Sequence, residues 1–225
     1  MSLSELKLKN LKKTAEKFGF VLSPEQLQKF GLYSETLLSW NRRFNLVSKN
    51  DASFEELIKH FIDSLVIFKF VEIPQNAKLL DIGSGNGFPA IPIKIYREDL
   101  DYVLTESIRK KCLFLQKVIE NLQFEKIEVK NMRVESLDES YKSYFDFVTA
   151  KKVAPVDEVW KLCYPFLKRG GNLLAYKGKK MEEEVKQMPR VLEKYPGVLK
   201  VEEITLPEFR IKRFVVIVRK NGMQT

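Results

Sequence analysis

The sequence feature that most constrains this chain is a set of closely spaced glycines directly after an apolar run. Residues 79–82 form the run, and Gly83, Gly85 and Gly87 follow it at every second position. Such a run is typical of a buried parallel strand, and such glycines are typical of a turn that brings backbone close to a ligand. Pro89 fits the first turn of a following helix. The sequence therefore predicts a strand, a glycine loop and a helix, with a nucleotide-like ligand at the carboxyl end of the strand.

The glycine spacing favours S-adenosylmethionine over a dinucleotide as that ligand. The dinucleotide fingerprint G-x-G-x-x-G needs a third glycine where this chain has Phe88, and the glycine falls one residue early, at Gly87. The carboxylate of Asp81 would be unfavourable beside a pyrophosphate. It can instead favour the ammonium and sulfonium charges of S-adenosylmethionine, directly or through water. A tight strand-to-helix turn with no ligand is the alternative interpretation.

The charge balance and the apolar pattern indicate the kind of partner. The chain has a formal net charge of +9, which favours a polyanionic partner such as nucleic acid, although a modestly basic soluble protein would have the same composition. No apolar run is long enough to span a bilayer, and the lysine-rich N-terminus has no apolar signal core. We therefore expect a cytoplasmic protein with no membrane partner. Cys112 and Cys163 have apolar neighbours and only one histidine is present, so we expect reduced core thiols and no metal site.

Residues 1–72 are predicted to be a helical region. Leu8, Leu11, Ala15 and Phe18 mark one face of a first helix. Two further helices are predicted from capping-box patterns, Ser-Pro-Glu-Gln from position 23 and Ser-Phe-Glu-Glu from position 53.

The segment around Trp40 has two interpretations. Arg42 and Arg43 lie between Trp40 and Phe44, a mixture suited to RNA, where cations meet phosphate and rings stack on bases. Equally, the two aromatic residues are four apart and could both belong to the core, with the arginines solvated.

His60, Asp63 and Ser64 fall about one turn apart on a single helical face. They could form a hydrolase-like set, but Ser64 has no glycine-bracketed elbow. We therefore expect a satisfied polar face that packs on the second domain.

Residues 73–225 are predicted to form an α/β domain. After a boundary at residues 74–77 and the glycine loop, we expect strands at 101–106, 127–130, 145–150 and 168–176, the last entered through a basic glycine turn. A helix at 181–195, with a possible break at Pro189, and a closing hairpin of 201–206 and 214–218 would follow.

Several residues at strand ends are candidates for the ligand site. Glu106 falls about twenty residues after the glycine loop, the spacing expected for a carboxylate that holds ribose hydroxyls. Val134 and Glu135 follow the third strand, where a sheet of this winding reaches the adenine end of a ligand. Lys151 and Lys152 stand at the exit of the fourth strand, over the reacting end.

The chain resembles the RsmG (GidB) family over residues 25–220. The separate motif near Trp40 makes the resemblance more specific than a shared sheet would be. The residues that carry it are Trp40-Asn41 with Phe44-Asn45-Leu46, His60-x-x-Asp63-Ser64-Leu65, Asp81-Ile82-Gly83-x-Gly85-x-Gly87-Phe88-Pro89 with Ile91-Pro92, and Phe145-Asp146-x-Val148-Thr149-Ala150.

The resemblance implies a fold and an activity. The fold would be a class I methyltransferase, with a Rossmann-like, seven-stranded mixed sheet flanked by helices. Residues 1–72 would be an N-terminal helical extension, packed with the domain of residues 73–225 as one compact body. The activity would be methyl transfer from S-adenosylmethionine, with no metal, to N7 of a guanine in the decoding region of 16S rRNA. The partner would be 16S rRNA or the small ribosomal subunit, and we expect a monomer.

The family's cofactor pocket carries over to Gly83, Phe88, Val134 and Glu135. The family usually has an arginine where this chain has Lys151, which keeps the charge but loses the planar fork of donors. Together with the candidates from the residues themselves, the predicted cofactor-binding set is Asp81, Gly83, Gly85, Gly87, Phe88, Glu106, Val134, Glu135 and Lys151.

Guanine N7 has an in-plane lone pair and no proton to lose, so its methylation needs alignment rather than a general base. We therefore assign no catalytic residue and regard Lys151 as a candidate for positioning. A methyltransferase with another substrate, a nicotinamide oxidoreductase and a non-catalytic RNA-binding module are the alternatives. The predicted RNA contacts are Arg42, Arg43, Lys151, Lys152 and Arg213.

Overall fold

Three helices form the N-terminal part of the chain in the structure, a computed structural model that describes residues 3–221. The second helix begins with the predicted capping box, because Ser23 Oγ accepts the Gln26 N–H at 3.1 Å and the Gln26 side chain accepts the Ser23 N–H at 2.9 Å. The third begins after Ser53, as predicted. The helices are α1 (Leu3–Lys17), α2 (Pro24–Phe44) and α3 (Phe54–Leu65), with short 3-10 turns at Lys49–Asp51 and Val66–Lys69.

Seven strands form one mixed sheet within residues 3–221. They are β1 (Lys78–Ile82), β2 (Asp101–Thr105), β3 (Ile127–Lys130), β4 (Phe145–Lys151), β5 (Leu167–Lys177), β6 (Gly197–Leu206) and β7 (Ile211–Lys220). Their order is β3-β2-β1-β4-β5-β7-β6, with β1 to β5 parallel and β7 antiparallel to both neighbours. The chain order reverses between β1 and β4, and a sheet of this kind binds its ligand in the crevice beyond the strand ends at that point. The predicted fold class is confirmed.

The helices of the second part flank this sheet. They are α4 (Ala90–Tyr96), α5 (Arg109–Leu122), α6 (Val156–Cys163), α7 (Met181–Val185) and α8 (Met188–Lys194). Helix α6 was not predicted, although its buried residues Val156, Val159, Trp160 and Cys163 have helical spacing. The helix predicted at 181–195 is two helices, and Pro189 lies in the first turn of α8, where proline is tolerated.

The predicted glycine turn before β5 lies inside the strand. Phe145 pairs with Leu167, but Phe147 pairs with Asn172, so the intervening residues of β5 form an irregularity in the ladder. Extra residues in one strand are accommodated as a bulge, which a pattern of turn residues alone does not distinguish from a loop. Separately, the two hairpin strands, β6 and β7, are longer than the predicted strands at 201–206 and 214–218.

The core lies on both faces of the sheet. On one face, Phe61 of α3 belongs to the same buried cluster as Leu79 of β1 and Ile91 of α4, so the N-terminal helices and the sheet share apolar packing. The division into residues 1–72 and 73–225, packed as one body, stays a prediction. Cys112 and Cys163 are buried free thiols. In the part of the chain that the structure describes, none of the helices combines the length and apolarity needed to cross a bilayer.

Candidate functional site

The glycine loop joins β1 to α4 at the switch point of the sheet. All three glycines have positive φ, +65° at Gly83, +56° at Gly85 and +94° at Gly87. At Gly87 a Cβ atom would lie 2.7 Å from Ile91 Cγ1, closer than side chains approach one another. The loop is closed by the Gly87 N–H, which donates to the Ser84 carbonyl at 2.7 Å. The glycines are therefore required by the shape of the turn as well as by its proximity to a ligand.

The N-terminal region is hydrogen-bonded to this loop at Asn86. The hydroxyl of Tyr33, on α2, donates to the Asn86 carbonyl at 2.6 Å. The side-chain amide of Asn86 in turn donates to the Leu46 carbonyl at 3.1 Å. Tyr33 is buried, so its hydrogen bond is protected from water. The helical region is thus part of the site's framework, a role that the sequence analysis did not predict.

A first cavity of about 480 Å³ opens beside the loop. Gly83, Glu106, Val134 and Glu135 all line it, although they come from three separate loops. Its remaining lining is partly apolar and includes Ile82, Thr105, Ser107, Met132, Arg133, Val153, Ala154, Glu158, Lys161 and Leu162.

Glu106 connects the loop to the end of β2. Its Oε2 accepts the Gly85 N–H at 2.9 Å, and its Oε1 accepts the Ile108 N–H at 2.8 Å. A carboxylate has about four acceptor positions, so two remain for the hydroxyls of a ligand. The predicted acid therefore lies on the cavity wall with acceptor capacity to spare.

Asp81 lies beneath the loop rather than on a cavity wall. Its side chain is fully buried, Oδ1 accepts the Thr149 hydroxyl at 2.6 Å, and Oδ2 has no hydrogen-bond partner. Burial raises the pKa of Asp81 to about 7. Asp81 does not line the first cavity, so its contact with a ligand, directly or through water, stays a prediction.

A second cavity of about 300 Å³ adjoins the first, and Gly83 lines both. An added Cβ at Gly83 would lie 3.1 Å from Val153 Cγ2, so the boundary between the cavities has little room for a side chain. The glycine loop, the end of β4 and the segment after α2 line the second cavity: Leu46, Val47, Ser48, Asp51, His60, Gly83, Ser84, Gly85, Asn86, Phe88, Lys111, Lys151 and Lys152.

Lys151 is held by a buried ion pair. Its Nζ lies 2.8 Å from Asp63 Oδ2, and Arg213 Nε lies 3.1 Å from Asp63 Oδ1. The ammonium also lies 5.5 Å from the ring centroid of Phe88 and 5.4 Å from that of Tyr176. Burial lowers the pKa of Lys151. For Asp63, burial alone would raise the pKa of the carboxyl, but the charges of Lys151 and Arg213 outweigh burial, so the pKa of Asp63 is lowered.

This geometry corrects one predicted role of Lys151. Its side chain is 7% exposed and faces Asp63, so direct contact with an RNA phosphate is not available to it. Arg213 is partly exposed but is also paired with Asp63. As expected for a satisfied polar face, Asp63 packs on the sheet domain, and the Ser64 carbonyl accepts the Tyr176 hydroxyl at 2.5 Å.

Asp51 is a cavity residue that was not predicted from the sequence, and His60, which was predicted only as part of a polar helical face, also lines the second cavity. Asp51 Oδ1 lies 2.6 Å from Lys59 Nζ and 3.1 Å from His60 Nε2, and Oδ2 accepts the Ser48 hydroxyl at 2.7 Å. Burial opposes ionisation of Asp51, but these contacts outweigh it and hold its pKa well below the usual range. Burial, followed by the charge of Lys151, lowers the pKa of His60 to about 4, so the imidazole is neutral at neutral pH.

The remaining predicted RNA contacts are exposed. Arg42, Arg43 and Lys152 are solvent-exposed, and in the described residues none of them forms an ion pair. Trp40 is partly buried, with ring centroids 5.3 Å from Phe44 and 5.7 Å from Phe114. The segment therefore matches the second interpretation, because its rings pack against the body while its arginines face solvent. Contact of Arg42, Arg43 and Lys152 with RNA stays a prediction.

Solved structures with a similar fold are methyltransferases and related proteins. P. horikoshii TYW2 in complex with MeSAdo matches with a TM-score of 0.56 and 17% identity, covering 70% of this chain and 61% of that one. A SAM-dependent methyltransferase from Aquifex aeolicus matches with a TM-score of 0.56 and 14% identity, covering 73% of this chain and 92% of that one. At these identities the likeness shows the fold alone, and the fold is that of class I methyltransferases.

Sequence comparisons are more specific. The family described as GidB, rRNA small subunit methyltransferase G, matches residues 26–212. A protein of Acetivibrio thermocellus named ribosomal RNA small subunit methyltransferase G is 37% identical over 224 residues, covering 98% of this chain and 91% of its own length. The protein of the same name from Thermoanaerobacter sp. (strain X514) is 36% identical over 209 residues, covering 92% and 87%. The chain therefore belongs to the rRNA small subunit methyltransferase G family.

Proposed function

We propose that this protein transfers a methyl group from S-adenosylmethionine to N7 of a guanine in the decoding region of 16S rRNA. The observation that carries the proposal is the pair of adjoining cavities at the switch point, in a chain of this family. The first cavity is lined by Glu106 and Glu135, which can accept hydrogen bonds from an adenosine, and the second cavity is lined by Lys111, Lys151 and Lys152. We propose further that the protein acts as a cytoplasmic monomer on 16S rRNA or the small ribosomal subunit.

The proposed site of S-adenosylmethionine is the first cavity, with its volume of about 480 Å³. Glu106 would hold the ribose hydroxyls with its two remaining acceptor positions. The backbone at Gly83 and Val134 and the side chain of Glu135, all on the cavity wall, would contact the rest of the adenosine. When bound, this cofactor supplies an electrophilic methyl group on a sulfonium.

The protein's contribution to the reaction is alignment. Guanine N7 attacks with an in-plane lone pair and releases no proton, so a residue that accepts a proton is unnecessary. His60, which is partly buried, neutral and on the wall of the second cavity, need not act as a base in this scheme. Phe88 and Lys151 shape the wall of that cavity, and Asp63 fixes the position of Lys151.

The exposed cations would bring the RNA to the cavities. Arg42, Arg43 and Lys152 can contact phosphate without giving up an ion pair, whereas Lys151 and Arg213 are paired with Asp63. Phosphate contacts orient an RNA but do not choose a base. Binding should therefore weaken steeply as salt is added.

The deciding experiment is transfer of labelled methyl from S-adenosylmethionine to ribosomal RNA that lacks the modification, followed by mapping of the base. Label at guanine N7 in the small-subunit RNA is the expected result. RNA binding without transfer would instead identify a non-catalytic module, and transfer only to a protein or a small molecule would replace RNA as the substrate.

Cofactor binding can be tested separately by calorimetry. Glu106→Ala should raise the dissociation constant of S-adenosylmethionine about ten-fold or more, because hydrogen bonds to a charged group contribute about 1.5–3 kcal/mol each. Glu125→Ala, which changes an exposed acid outside the first cavity, is the matched control. Equal affinity in the two variants would show that Glu106 does not hold the ribose.

A further inference from the structure

The second cavity contains one acid in otherwise cationic surroundings. Among the described residues that line it, Asp51 is the single acidic side chain, whereas Lys111, Lys151 and Lys152 are cations. An acid that lines a site for a polyanion weakens phosphate binding, so we expect Asp51 to contact a group other than phosphate. Hydrogen-bond donors on a base are such a partner.

Asp51 is held in a defined orientation and remains accessible. Lys59 and His60 contact Oδ1, and Ser48 donates to Oδ2. Because each carboxylate oxygen has about two acceptor positions, Oδ2 keeps one free. The side chain is 21% exposed, in contrast to the buried Asp63 and Asp81. Asp51 is therefore a fixed anionic acceptor at the cavity surface.

The proposed reaction determines which edge of guanine would face this acceptor. With N7 directed towards the first cavity, the opposite edge, with N1–H and the exocyclic N2 amine, points into the second. Both groups are donors, whereas adenine has an acceptor at N1 and no amine at C2. Proteins that act on an extruded base commonly read this edge by hydrogen bonds.

We propose that the second cavity receives the target guanine and that Asp51 is a specificity-determining residue, which accepts a hydrogen bond from the N2 amine. Phe88, which is 8% exposed, forms part of the wall of the same cavity. Lys59, His60 and Ser48 position the carboxylate through their contacts with its two oxygens. The inference rests on the proposed function and assigns its base selectivity to a residue outside the cofactor site.

The first test uses the unchanged protein and a substrate with one group removed. Inosine keeps N7, O6 and N1–H but lacks the N2 amine. Replacing the target guanosine by inosine in the RNA should lower kcat/KM about ten-fold or more, the loss expected for a hydrogen bond to a charged acceptor. Equal rates with the two RNAs would overturn the proposal. Failure of the guanosine RNA to accept any methyl would instead refute the proposed function.

The second test asks whether Asp51 is the group that senses the amine. In Asp51→Ala, which removes both acceptor oxygens, kcat/KM for the guanosine RNA should fall about ten-fold, and the guanosine-to-inosine ratio should approach one. The dissociation constant of S-adenosylmethionine should stay within two-fold, which loss of folding would not allow. Glu56→Gln is the matched control, since Glu56 also pairs with Lys59 but does not line the cavity. A ratio in Asp51→Ala as large as in the control would overturn the proposal.

Discussion

Removing the charge of Asp63 should destabilise the protein through the cation that it leaves behind. Asp63→Asn takes the partner from Lys151, whose side chain is 7% exposed and does not reach solvent readily. Loss of one member of a buried pair costs about 3–5 kcal/mol. Arg213 is 26% exposed and can turn towards water, so we expect the lower end, about 3 kcal/mol. With a urea m-value of about 3 kcal/mol/M, the unfolding midpoint should fall by about 1 M.

A double variant and an exposed pair make this prediction specific. Adding Lys151→Met to Asp63→Asn removes the stranded charge and should recover most of the loss. The half-exposed pair of Lys212 and Glu203 is the control: Glu203→Gln should cost less than about 1 kcal/mol. If Asp63→Asn lost no more than Glu203→Gln, or if Lys151→Met brought no recovery, the reasoning from burial would be refuted.

Three further predictions concern the loop and its surroundings. The pKa of Asp81 is about 7 in the folded state against an ordinary value of 3.8, so the folded chain holds a proton that the unfolded chain releases, and stability should fall as pH rises from about 4 to 7, by on the order of 4 kcal/mol. Asp81→Asn should flatten this profile in urea unfolding at pH 5 and pH 8; an unchanged slope would mean that another group titrates. Gly87→Ala places a Cβ 2.7 Å from Ile91 Cγ1 at a φ of +94° and should destabilise the fold by more than about 1 kcal/mol in the same assay; a neutral effect would show that the loop adapts. Tyr33→Phe removes the bond to the Asn86 carbonyl and should cost about 1 kcal/mol, with weaker S-adenosylmethionine binding by calorimetry; unchanged affinity would separate this contact from the ligand site.

The sequence predicted best what depends on short segments. The strand, the glycine loop and the acid at Glu106 follow from local spacing, and the structure places Gly83, Glu106, Val134 and Glu135 around one cavity. Parallel strands bring their carboxyl ends to one edge of a sheet, so each local assignment also fixed a position in space.

Features that depend on distant packing were not predictable in the same way. Lys151 stands at a strand exit, where a lysine is expected to face solvent, but α3 covers it and supplies Asp63 from 88 residues earlier in the chain. Asp51 lies 32 residues before Gly83, and only the fold places both beside one cavity. The Tyr33 hydroxyl reaches a carbonyl 53 residues away. Such contacts have no local signature, because burial and partner choice are settled when the helices dock on the sheet.

The shared boundary at Gly83 has a consequence for inhibitor chemistry. Gly83 lines both cavities, but Val153 leaves little room at this boundary, so a tether from one cavity to the other would have to be thin and would require the Val153 side chain to move. A molecule that joins an adenosine to a guanine analogue would then engage both, the second half binding at the millimolar effective concentration of a short flexible link. Its affinity should exceed that of either half alone, and lengthening the tether beyond the span should weaken it.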